Sequence, residues 1–210
     1  MLHEPDLFAN AKPVPWNKGR LLGPKLALKP KHIWSIRIHL EMEHRVRDLA
    51  LFNMAIDSKL RGCDLVALRL IDITLGNSIL PRAMVVQHKT GRPVQFEITE
   101  PTRIAVRNWL DRRRRSDIPW LFPSRCRRGE HISTRQYSRL LDDWVKTIGL
   151  DPAAYGTHSL RRTKVALLYK RTGNLRACQI LLGHIKLEST VRYLGVEVDD
   201  ALSLSEATEV

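Results

Sequence analysis

Between Ile71 and Thr99 the chain reads IDITLGNSILPRAMVVQHKTGRPVQFEIT, a β-branched stretch broken at Gly76-Asn77, Pro81 and Thr90-Gly91. Short β-branched runs bounded by such turn residues predict a small three-stranded antiparallel sheet, with Lys89 at a hairpin tip. The flanking sequence is patterned differently. KHIWSIRIHLEME, RVRDLALFNMAIDSKL and GCDLVALRL precede the stretch; EPTRIAVRNWLDRRRR, ISTRQYSRLLDDWVKTIGL, HSLRRTKVALLYKRTG, NLRACQILLGHI and ESTVRYLG come after it. All of these space apolar residues at helical intervals, and Gly149, Gly156, Gly173 and Gly183 fall at the joints, where helix ends favour glycine. The expected fold class is α+β: mainly α with one small three-stranded antiparallel sheet.

This domain is expected to span residues 31–196. Before it, residues 1–30 hold Pro5, Pro13, Pro15, Pro24 and Pro30 with Gly19, Gly23 and several lysines, the composition of an extended basic arm. After it, residues 197–210 carry five acids and no bases. Val198, Ala201, Leu202 and Leu204 could form the apolar stripe of a short helix docking in cis or on a neighbouring subunit. At 210 residues the chain has room for one good core plus an arm. No apolar run is long enough to cross a bilayer, and the start lacks the apolar core of a signal peptide, so a cytoplasmic protein without membrane contact is expected. Cys63, Cys126 and Cys178 form no C-x-x-C pair and are expected to be reduced and mostly buried.

The net charge of +13 points to a polyanionic partner. A phosphodiester gathers negative charge as its pentacoordinate transition state forms, so an enzyme working without metal must supply fixed cations. Arginine suits this task, since its planar fork grips two phosphate oxygens and stays charged. THSLRRT places His158 and Arg161 three apart at a helix start, projecting from one face where free N–H groups and the helix dipole favour an anion. Farther on, LLGHIKLESTVRYLG sets His184 nine residues ahead of Tyr193. A phenol with a pKa near ~10 needs a base and a cationic pocket to become a nucleophile at neutral pH.

The blocks SKLRGCDLVALRLIDI, VVQHKTGRPVQFEI, THSLRRT and LLGHIKLESTVRYLG, in that order, make the chain resemble the tyrosine recombinase (phage integrase) family over about Arg45 to Gly195. The resemblance implies that Arg61 and Arg161 clamp the scissile phosphate, Lys89 protonates the departing 5′-hydroxyl, His158 accepts the proton of the attacking phenol, and His184 hydrogen-bonds the phosphate. Tyr193 would become a 3′-phosphotyrosine, which retains the phosphodiester's energy and lets a second end be joined without ATP. No cofactor and no metal are expected: there is no Walker motif, and Asp142-Asp143 and Asp199-Asp200 are isolated pairs unlike a two-metal site. Double-stranded DNA is the implied partner. Ser133, Thr134, Arg135 and Gln136, opening a helix, are suited to reading base edges, and Arg162 and Lys164 to touching the backbone; the run Arg112 to Arg115 reads as a solvated helix end.

Three departures from the family pattern stand out. Lys59 occupies the place of a usual glycine, Arg162 that of a usual histidine, and Asp64 that of a commonly glutamate residue supporting the first arginine, one methylene shorter. Members usually also carry a helical DNA-gripping domain before the catalytic one; the fimbrial phase-variation invertases are similarly short. The resemblance implies a site-specific DNA recombinase for integration, excision or inversion, acting in the cytoplasm at the nucleoid as a homo-oligomer, a dimer on a site and a tetramer in a synapse, with an accessory DNA-bending protein as helper. The alternative is a recombinase-like DNA-binding regulator without chemistry of its own. Type IB topoisomerases share the residue types, but H-x-x-R ahead of L-G-H, with tyrosine nine further on, is similar to the recombinases.

Overall fold

A computed structural model describes residues 25–113, 118–195 and 205–206. Most of the expected basic arm and acidic tail, and part of the Arg112–Arg115 run, lie outside the described residues. The last five residues of the expected arm before α1, 25–29, pack on the body: Leu28 is buried in the core and its N–H donates to Thr163 Oγ1 at 3.0 Å.

Helix α1 (Pro30–Met42) begins with a proline at its first turn, where the missing N–H is not needed. It lies on α2 (Val46–Ser58), in which every residue from Ala50 onward is buried. A helix buried on nearly all sides can only be a central one, and α1, α5 (Glu100–Arg112) and α7 (Thr157–Thr172) all pack against α2. The run that reads as one continued helix after α2 is instead two short ones, α3 (Gly62–Val66) and α4 (Leu70–Ile73). They are separated because Arg69 pairs with Trp120 in an isolated β-bridge.

The expected three-stranded sheet is two separate hairpins. β1 (Thr74–Leu75) pairs with β2 (Ser78–Ile79), and β3 (Arg82–Val86) with β4 (Pro93–Glu97), each pair antiparallel. Pro81 stands between β2 and β3 and has no N–H to extend a ladder. The chain there turns away, with Leu80 N–H bonded back to the Ile73 carbonyl.

Helix α6 (Thr134–Thr147) is capped by Ser133, whose hydroxyl accepts from Gln136 N–H at 3.1 Å. Its Trp144 meets Phe52 of α2 edge-to-face at 5.6 Å, both fully buried. After α7 come α8 (Leu175–Leu182), capped by Asn174, and α9 (Leu187–Leu194). These last helices share a second, small cluster of Val165, Cys178 and Leu182, against which Tyr193 and Leu194 pack. Cys63 and Cys126 are exposed and only Cys178 is buried. Contrary to expectation, the first two sit on the outer side of a short helix and in a surface loop. No helix of the described residues is long and apolar enough to cross a membrane.

The indole N–H of Trp144 has no hydrogen-bond partner among the described residues, so the residue contributes through packing alone. Trp144→Ala is expected to destabilise the fold by about 3–5 kcal/mol. Trp144→Phe removes the unpaired donor and should lose much less; chemical denaturation of the two variants measures the difference.

Candidate active site

Four segments converge. The first is the turn after α2, where Arg61 leads into α3. A Cβ on the next residue, Gly62, would stand 3.5 Å from Tyr137 of α6 and 3.8 Å from Thr157 at the start of α7, so these elements meet at the arginine's root. The second is the β3–β4 hairpin. Gln87, 1% exposed, follows directly after β3; its Oε1 accepts from the Arg61 guanidinium and, at 3.0 Å, from Thr90 Oγ1. On the other side of the turn, Asp64 Oδ1 accepts from His88 N–H at 2.9 Å. Gln87 and Asp64 thus hold the hairpin's base, and Lys89 stands exposed at its tip.

The third segment is α7. Ser159 Oγ accepts from Gly156 N–H at 3.1 Å and closes its first turn, which carries His158 and Arg161. Arg161, 3% exposed, donates through Nη2 to the Leu182 carbonyl at 2.7 Å. Gln87 Nε2 donates to the same carbonyl at 3.4 Å. The fourth segment is the α8–α9 joint. Gly183 has φ +64°, and a Cβ there would lie 2.6 Å from Val94 Cγ2, so only glycine fits both the left-handed turn and the close approach of the hairpin. The turn delivers His184, whose Nδ1 lies 3.1 Å from Thr190 Oγ1. One helical turn beyond Thr190, Tyr193 meets the His184 ring edge-on at 5.4 Å. The guanidinium carbons of Arg161 and Arg162 lie 5.7 Å and 4.9 Å from the tyrosine ring's centre, and its hydroxyl donates to the His158 carbonyl at 3.2 Å.

The sequence profile of the phage integrase family matches residues 28–199. The chain belongs to that family. It is 32% identical over 162 residues to tyrosine recombinase XerC of Chromobacterium violaceum, covering 77% of this chain and 52% of that one. To tyrosine recombinase XerA of Pyrococcus furiosus it is 30% identical over 166 residues, covering 79% and 54%. The chain thus spans about half the length of the curated relatives it matches. Its fold is that of the XerA recombinase crystal structure, with TM-score 0.73 at 19% identity over 90% of this chain and 67% of that one. A similar match is XerH recombinase bound to palindromic difH substrate after cleavage, with TM-score 0.68 at 19% identity over 87% and 54%.

In this integrase-family chain the candidate site is strongly electropositive, and its histidines respond. Partial burial, then Arg161, Arg162, Arg61 and Lys89, lower the pKa of His158. Burial with Arg161 and Arg61 lowers that of His184 to about 4. Both are therefore neutral at pH 7, as a proton acceptor must be. Burial raises the pKa of Tyr193 despite the opposing pull of Arg161, Arg162 and Arg61, so the phenol is protonated at rest. Arg161 Nε and Arg162 Nε, both buried, have no hydrogen-bond partner among the described residues, which leaves donors uncommitted beside the tyrosine.

Arg61, His158, Arg161, His184 and Tyr193 therefore come together, with Lys89 on the hairpin braced against them. The other four residues singled out in the sequence are distributed differently. Arg135 is exposed and Gln136 half-buried at the start of α6. Gln136, with Ser133 and Thr134, lines a cleft of about 1140 Å³ that Arg47, Arg69, Arg125 and Arg127 also border. Arg162, expected at a DNA phosphate, is buried, donates to the Lys25 carbonyl at 2.6 Å and covers the tyrosine ring. Lys164, expected there too, is ion-paired to Asp57 and Glu97, both at 2.6 Å. Gln87 was not singled out by its residue type. Its signal lay in the alternation along β3, which puts Ala83 and Val85 on one face and, continued one residue past the strand, Gln87 on the same face, where an amide in a core-facing position needs a partner.

The histidine shift gives a pH expectation. The folded chain resists a proton that the unfolded chain accepts near 6.5, so stability present above that pH is lost as pH falls toward 4. An NMR titration of His184 is expected to show its midpoint near 4, and Arg161→Gln should move that midpoint upward.

Proposed function

We propose that the chain is the catalytic portion of a site-specific DNA recombinase that cleaves and rejoins duplex DNA through a 3′-phosphotyrosine. One observation carries the reading: a tyrosine lying against two arginines and edge-on to a neutral histidine, its hydroxyl resting on the first turn of the H-x-x-R helix. A phosphate seated against Arg61 and Arg161 would place its phosphorus in reach of Tyr193. The phenolic oxygen then forms the bond to phosphorus as the bond to the 5′-oxygen breaks. The phenol's proton passes to His158, which its low pKa keeps available, and Lys89 gives a proton to the leaving 5′-oxygen. Attack by the 5′-hydroxyl of another strand reverses these steps and frees the tyrosine. His184 hydrogen-bonds a non-bridging oxygen, with Thr190 fixing its ring.

On this reading Arg135 and Gln136 face the major groove along the cleft, while Arg162 and Lys164, whose charges are engaged within the protein, do not reach DNA. The proposed working unit is a dimer on each site and a tetramer in the synapse, assembled at the nucleoid with a DNA-bending helper. XerH was crystallised bound to palindromic difH substrate, and lambda integrase as a dimer bound to a COC′ core site.

A search of the DNA flanking the gene for inverted repeats would supply candidate duplexes. On a nicked suicide version of such a site, wild type is expected to form a covalent protein–DNA adduct, and Tyr193→Phe to form none while binding equally. Tight binding by wild type with no adduct would instead identify a DNA-binding regulator.

A further inference from the structure

Lys59 stands at the end of α2 with φ 54° and ψ 21°, a left-handed conformation that favours glycine. Its side chain is nevertheless only 1% exposed. The ammonium lies 2.7 and 2.8 Å from the two carboxylate oxygens of Glu97 on β4. Glu97 Oε1 lies 2.6 Å from the ammonium of Lys164 on α7, and Lys164 is 2.6 Å from Asp57 Oδ1. The second oxygen of Asp57 accepts from Thr99 N–H, Thr99 Oγ1 and Thr102 Oγ1 at 2.8, 2.6 and 2.6 Å. Two cations and two anions alternate in a neutral chain. Burial alone would raise the pKa of Asp57 and of Glu97, but their bonds to lysine, joined at Asp57 by those from Thr102 and Thr99, outweigh it and hold both carboxyls ionised.

What these four residues join is specific. Lys59 is two residues before Arg61, Glu97 lies on the hairpin that carries Lys89, and Lys164 is one helical turn after Arg161. We infer that Asp57, Lys59, Glu97 and Lys164 form an ionic clasp that sets Arg61, the Lys89 hairpin and the His158–Arg161 turn in register, making them positioning residues for strand cleavage. The inference rests on the proposed recombinase chemistry for its consequence, and on geometry alone for the clasp. A surface salt bridge would not carry such a role. Here the lysine is buried, so cutting the chain at one member strands a charge.

That distinction supplies the test. Lys59→Met and Glu97→Gln each leave an unbalanced charge, whereas the double variant removes one charge of each sign and leaves Lys164 on Asp57. Both single variants are expected to melt earlier, and the double to regain much of that loss. All three should form the covalent adduct on the nicked duplex about tenfold or more slowly, as misplacement of reacting groups does, with affinity for the intact duplex within about threefold of wild type. Ile36→Ala, in the core of α1, should lower stability and leave the adduct rate unchanged. In hydrogen exchange, amides 59–62 and 86–92 of the double variant should open faster than in wild type, and those of α1 should not. Adduct formation at the wild-type rate in the double variant overturns the proposal whatever its exchange. If wild type forms no adduct, the recombinase reading falls, and the exchange at 86–92 still decides the clasp: unchanged, it is overturned.

Discussion

The carbonyl oxygen of Leu182 accepts from Arg161 at 2.7 Å and from Gln87 at 3.4 Å, and the site is assembled around it. As the last residue of α8, Leu182 has a carbonyl without an intrahelical partner. Satisfying it with an arginine and an amide joins α7 and the β-hairpin at one atom. Gln87 extends the link to Arg61. The contact also fixes the direction in which the chain leaves α8, because Gly183 must turn left-handed immediately beyond it. His184 and the start of α9 are aimed by that turn. Removing the arginine would therefore do more than remove a charge: a buried carbonyl would lose its best donor, and the α8–α9 joint its anchor.

The two hydrophobic clusters divide the labour. α2 and its neighbours, with Phe52 and Trp144 at the centre, form a large core that fixes Arg61, the hairpin and α7. Tyr193 belongs to the small cluster of Val165, Cys178 and Leu182. Few buried apolar groups hold α9, an eight-residue helix too short to be stable by propensity. Local opening free energies track such contact density, so the helix carrying the proposed nucleophile is the least firmly held part of the site, while the residues proposed to grip phosphate are the most firmly held. That suits an attacking group that must move toward a phosphorus its pocket has already positioned.

Elements with strong periodicity were legible in the sequence. The buried α2, the amphipathic α6 and the hairpin with Lys89 at its tip all arise from spacing and turn residues, as do the glycine joints at Gly173 and Gly183. The division of the strands into two separate hairpins was not, because β-branched residues on both sides of Pro81 look continuous in pattern while the ladder needs an N–H that proline lacks. Nor was the interruption between α3 and α4, which is imposed by the distant Trp120. Within the site the charged residue types pointed to phosphate chemistry, but cations of equal charge have separate fates. Arg162 covers the tyrosine and Lys164 neutralises carboxylates. Partners far apart in sequence decide this: Lys164 meets Asp57 across 107 positions and Arg162 meets the Lys25 carbonyl across 137.

Lys59 shows why a departure from the pattern can still belong to the design. A non-glycine residue in the left-handed region is disfavoured by roughly 1–3 kcal/mol, and persists where its surroundings over-determine it. Here the surroundings are two carboxylate oxygens of Glu97 within 2.8 Å of a buried ammonium. Glycine would supply the turn without strain, but nothing to bind the hairpin. Lysine supplies both, at the expense of backbone strain that the ion pairs offset. The turn that introduces Arg61 is then coupled electrostatically to the strand pair presenting Lys89, a link between two site residues that glycine at this position cannot make.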